Sequence, residues 1–101
     1  MKLVQILLPL YDNAGRKTRP QLFATTRREL IERFDGLTAY ARAPAHGFWR
    51  RSGNVARDDI VVFEIMIKRL ERLWWGRYRR SLERRFQQKQ IVVRILDCMI
   101  V

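Results

Sequence analysis

Asp59-Ile60-Val61-Val62-Phe63-Glu64-Ile65-Met66-Ile67 is the most β-like run in the chain. Branched and aromatic side chains suit a pleated, half-buried surface. Alternation sends Val61, Phe63, Ile65 and Ile67 to one side and Val62, Glu64 and Met66 to the other. A strand with one wholly apolar side and one mixed side fits a sheet that is covered on one face and open on the other.

Working outward, residues 3–11 repeat the pattern. Val4, Ile6, Leu8 and Leu10 share one side, and Leu3, Gln5 and Leu7 share the other. Asp12-Asn13-Ala14-Gly15 then reads as a turn. Pro20 suits a first helical position, where its missing N–H is not needed. Leu22, Phe23, Thr26, Leu30 and Phe34 follow at helical spacing, so a helix is expected over 20–34, stopped by Asp35-Gly36. A strand is expected over 37–42. Between 43 and 57, Pro44, Gly47, Gly53 and Asn54 interrupt every period, and a long connection is expected.

Beyond the central strand (59–67), Leu70, Leu73, Trp74, Tyr78, Leu82 and Phe86 trace one face of a helix over 70–88. Neighbouring helical residues point about 100° apart. Trp74 is therefore assigned to the core stripe and Trp75 to its margin. A last strand is expected over 91–100. The element order is βαββαβ, that of the ferredoxin-like α+β fold: a four-stranded antiparallel sheet with two helices on one face. Right-handed crossovers place its first and third strands in the middle. Arg27–Phe34 and Arg79–Phe86 match at five of eight positions, which fits either a doubled βαβ unit or two Arg-rich amphipathic helices that coincide.

The chain has 101 residues and a net charge of +11, with 17 arginines among 21 basic residues. One core is expected. The lone Cys98 excludes an internal disulfide, and no Cys/His cluster exists for zinc. Cys98 reads as a small buried hydrophobe, with a reactive thiol as the sharper alternative. No segment has the run of about 20 apolar residues that spans a bilayer, and the 3–10 stretch lacks a cleavage site. A cytoplasmic chain without metal or cofactor is expected. Phosphate loops, H-E-x-x-H, nucleophile elbows and paired-cysteine motifs are all lacking, so no catalytic residue is assigned.

Three constellations remain. The first is the open sheet face, with Gln5, Glu64, Arg94 and Tyr40 set among aliphatics. An apolar patch of that kind is usually covered, and a homodimer covers it most simply, by plain contact or around a ligand cavity. The second is the 43–57 segment with His46, Phe48, Trp49, Arg50 and Arg51. Its aromatics and arginines suit a base or an anionic ligand, or else plug one end of the core. His46, with Asp58 or Asp59, is also the general-base arrangement of a small cofactor-free enzyme. The third is the second helix. Lys68 to Lys89 holds nine basic and two acidic residues. Arg72, Arg79, Arg80 and Arg84 would lie toward solvent, as a phosphate-binding stripe or as an ordinary solvated face. The central strand has no exposed aromatics for sheet-face RNA binding, and its Glu64 would repel phosphate.

The chain resembles a family of small uncharacterised bacterial proteins. The resemblance rests on Leu7-Leu8-Pro9-Leu10-Tyr11-Asp12, Arg33-Phe34-Asp35-Gly36-Leu37-Thr38-Ala39-Tyr40, Ala43-Pro44-Ala45-His46-Gly47-Phe48-Trp49, Arg57-Asp58-Asp59, Trp74-Trp75 and Phe86-Gln87-Gln88-Lys89-Gln90-Ile91-Val92-Val93-Arg94. It implies a ferredoxin-like fold and a homo-oligomer, and brings no established activity. The expected role is a non-enzymatic binding or assembly module that associates through its sheet face. Nucleic-acid binding and catalysis by His46 stand as alternatives.

Overall fold

The long alternating runs pair with one another. The computed structural model describes residues 1–34, 36–39, 45–51 and 54–101. Strand β1 (Lys2–Pro9) is followed by helix α1 (Pro20–Phe34), β2 (Thr38–Ala39), β3 (Ala45–Arg51), β4 (Asn54–Ile67), α2 (Arg72–Arg85) and β5 (Val93–Asp97). β4 pairs antiparallel with β1 from Pro9↔Ile60 to Lys2↔Ile67. β5 pairs with β1 from Lys2↔Asp97 to Ile6↔Val93. The order β2-β4-β1-β5 puts the two most apolar strands in the middle, as the crossovers require.

Two expectations change. Among the described residues the sheet has five strands rather than four: β4–β1–β5 form the continuous layer, and the two-residue β2 and the seven-residue β3 both attach to β4. The 43–57 segment is also no long loop among its described residues. β3 pairs with an extended β4 from Ala45↔Ile60 to Arg51↔Asn54. Gly47 within β3 hid the strand, since glycine weakens strand pattern without forbidding pairing.

The alternation of the central strands holds throughout. Val4, Ile6, Leu8, Val61, Phe63, Ile65 and Ile67 are buried beneath Thr26 and Leu30 of α1 and Trp75 and Leu82 of α2. Phe23 reaches Phe63 and Phe86, with ring centroids 6.4 and 5.5 Å apart, and so ties both helices to β4. Leu30 and Leu82, equivalent in the internal match, are both fully buried.

The turn after β1 forms where expected. The Asp12 carboxylate accepts hydrogen bonds from the Ala14 and Arg16 N–H groups at 2.9 and 2.8 Å, and Gly15 takes φ +79°. Such backbone is open to glycine at little strain.

Helix α1 has the expected bounds. In α2 the face is rotated from the one read from sequence. Trp75 is buried at 4% exposure, Trp74 is half-buried, and Leu73 is 78% exposed. Trp75, Leu82 and Phe86 lie within about 40° of one another around the helix, whereas Leu73 falls on the far side. The helix closes with Gln88 N–H donating to Glu83 C=O at 2.9 Å and Gln87 N–H to Arg84 C=O at 3.2 Å. Gln87 sits at φ +53°, the left-handed residue of a Schellman cap. Cys98 is half-buried rather than buried, and its N–H donates to Met1 C=O at 3.1 Å.

Candidate functional site

On the face away from the helices, register aligns the outward side chains in rows. Met66, Leu3 and Leu96 form one row, since Leu3 stands opposite both Met66 and Leu96. Met66 is 48% exposed and Leu96 45%. In the next row Glu64 stands opposite Gln5, and Gln5 opposite Arg94, with Thr38 beyond Glu64. The third row is Val62, Leu7 and Val92, Leu7 N–H donating to Val92 C=O at 3.0 Å. Ile60 and Pro9 close the face.

A single polar row thus crosses an apolar surface. Gln5 Nε2 donates to Glu64 Oε2 at 2.6 Å, which fixes the carboxylate over the middle of the sheet. Arg94 is exposed on the other side of Gln5. Neighbouring strands are about 4.8 Å apart, so the opposite charges on β4 and β5 stand roughly 10 Å from each other across β1. Three of the four sheet residues expected from sequence are therefore brought together. Tyr40 lies outside the described residues.

The other candidates lie on β3 and α2, and register brings His46 together with Asp59. His46, Trp49, Arg50 and Arg51 are on β3, with His46 opposite Asp59, Gly47 opposite Asp58, Trp49 opposite Ala56 and Arg50 opposite Val55. On α2, Arg72, Arg80 and Arg84 are exposed as expected. Arg79 departs from that stripe: it is half-buried, and its Nε is enclosed without a hydrogen-bond partner. Among the described residues no group of three His, Cys, Asp or Glu side chains could hold a metal ion, and no helix is long and apolar enough to cross a membrane.

Sequence reading missed a polar clamp between the helices. Arg85 donates through Nη1 and Nη2 to both oxygens of Glu29, each at 2.8 Å, and through Nη1 to Thr26 Oγ1 at 2.8 Å. Tyr78 OH donates to Glu29 Oε1 at 2.9 Å. The Arg85 hydrogen bonds hold the Glu29 carboxyl below the usual carboxylate range, against the opposing effect of burial. Burial, then the Glu29 carboxylate, holds the Tyr78 hydroxyl well above its ordinary range. A helical wheel carries the missing signal: Glu29 and Arg85 both lie at the margin of the buried arcs, where facing helices meet.

No family model and no curated protein matches the chain. Solved structures do. The chain resembles the PII-like protein CutA from Nostoc sp. PCC 7120 with a TM-score of 0.58 at 15% identity, covering 97% of this chain and 81% of that one. It resembles a variant of CutA1 from Pyrococcus horikoshii with a TM-score of 0.60 at 11% identity, covering 100% and 86%. A phage SAM lyase in its apo state also superposes, with a TM-score of 0.60 at 14% identity, covering 94% and 78%. The likeness is one of fold. It supports a small ferredoxin-like α+β domain.

Proposed function

We propose that this chain is a non-enzymatic binding or assembly module that associates with copies of itself through the open face of its sheet. The observation that carries the reading is the row pattern: a charged row held between two apolar rows on a face that neither described helix covers. Apolar area of this kind is stabilised by removal from water, at about 25 cal/mol per Å². A two-fold axis parallel to β1, above the open face, would bring Arg94 of each copy toward Glu64 of the other, so that opposite charges meet as the face is covered. The lone Cys98 is compatible with a reducing, cytoplasmic setting.

Light scattering on the native chain, Glu64→Arg, Arg94→Glu and the double exchange tests this. Each single exchange sets like charges together and is expected to weaken association by at least about tenfold, with recovery in the double variant. A native chain that stays single at about 50 µM contradicts the proposal.

A further inference from the structure

A second concavity lies at the end of the sheet, apart from the polar row. It is a cleft of about 490 Å³ between the end of β4, the connection to α2, the last turn of α1 and the first turn of α2. That volume lies in the range of small-molecule sites, about 300–1,000 Å³. Phe34, Trp75, Met66 and Ile67 supply apolar wall, and Arg33, Lys68 and Arg69 supply cations. Glu71 is the acid in the described lining, and Arg33 Nη2 already meets its Oε2 at 2.6 Å. Lys68 and Arg69 are exposed and leave the cleft with an excess of positive charge.

Two further features shape the cleft. Helix α2 begins at this cleft: Glu71 is its N-cap and makes no side-chain capping bond, and the first turn holds no acidic residue. The Glu71 carboxylate at that end faces the positive end of the helix dipole and is shared with Arg33, so the surplus positive charge of the cleft rests on Lys68 and Arg69. The aromatic wall is also fixed in place. Phe34 stacks on Trp75 with centroids 5.3 Å apart, and the Arg33 guanidinium lies 4.2 Å from the Trp74 ring centroid. Arg33 is thus held between Glu71 and an aromatic face, with its donors at the rim.

We infer that this cleft binds a phosphate monoester with a flat, apolar body, the chemistry of a mononucleotide. The phosphate sits between Lys68 and Arg69, and the body lies against Phe34, Met66 and Ile67. A bare phosphate would leave most of the cleft empty, and an uncharged body would leave its cations unused. The inference does not depend on association through the sheet face, although Met66 borders both.

The test is titration of the full chain at low salt with adenosine 5′-monophosphate, inorganic phosphate and adenosine, followed by calorimetry and tryptophan fluorescence. The expected result is saturable binding of the monophosphate with Kd below about 1 mM, and binding at least about tenfold weaker for each fragment. Lys68→Glu with Arg69→Glu is expected to weaken the monophosphate at least about tenfold, while Arg80→Glu with Arg84→Glu, the same charge change outside the cleft, changes it less than about twofold. No saturation by about 5 mM, or equal losses from the two double variants, overturns the inference.

Discussion

Glu29 and Arg85 show how much a single pair settles between α1 and α2. Two parallel N–H···O bonds fix both the distance and the roll of the helices, and Tyr78 and Thr26 complete the pair. Arg85→Met would leave the carboxylate half-buried without its principal donor. Because Glu29 is about a third exposed, solvent screens part of the loss, and a destabilisation of about 1–2 kcal/mol is expected in urea unfolding. The pH dependence has a definite sign. The folded carboxyl titrates below its unfolded value, so its contribution is complete above the unfolded pKa and is lost as pH falls through the folded one. Stability of the native chain should therefore drop on acidification below about pH 4.5, and the drop should be shallower in Arg85→Met. Trp75 and Leu73 give a second contrast. Trp75→Ala is expected to cost about 3–5 kcal/mol, and Leu73→Ala less than about 0.5, because one side chain is buried and the other stands in water. Sequence spacing alone assigned these residues the other way round. An apolar stripe read at spacings of three and four drifts around the helix, and Leu73 entered it only because it is apolar.

Among the elements, those with a strong period were legible. β1, β4 and α1 follow from alternation and from Pro20, because strands and helices that bury one face must place apolar side chains at period two or 3.6. β3 was not, because Gly47 interrupts the alternation without preventing strand pairing. The polar row needed both alternation and register. Alternation put Gln5, Glu64 and Arg94 on one face, and only the ladder shows that they are directly opposite one another. The clamp between helices and the basic cleft were illegible for the same reason: each joins residues far apart in sequence, such as Glu29 with Arg85 and Arg33 with Glu71. The end of α2 offers a test at this scale. Gln87 holds a left-handed backbone that side chains with a Cβ disfavour by about 1 kcal/mol. Gln87→Gly is expected to raise stability by about 0.5–1 kcal/mol in thermal or urea unfolding, with no change in oligomeric mass.

For the whole molecule, the governing facts are a net charge of +11 and a sheet clothed on one side. These act in opposite directions on self-association. The uncovered rows of Met66, Leu3 and Leu96 and of Val62, Leu7 and Val92 favour contact, while two copies with the same charge repel. Salt screens the repulsion and leaves apolar contact intact. Association is thus expected to tighten several-fold between about 50 and 300 mM salt in concentration-dependent sedimentation velocity. Weakening over that range would mean that exposed ion pairs carry the contact instead. The central claim is that the face opposite the helices is covered by another copy, and sedimentation equilibrium of the native chain beside Leu3→Arg tests it most directly. A native mass of two or more times 12.2 kDa is expected, with a variant that stays folded at 12.2 kDa. A native chain sedimenting at 12.2 kDa throughout, or a variant with the native assembly mass, would contradict it.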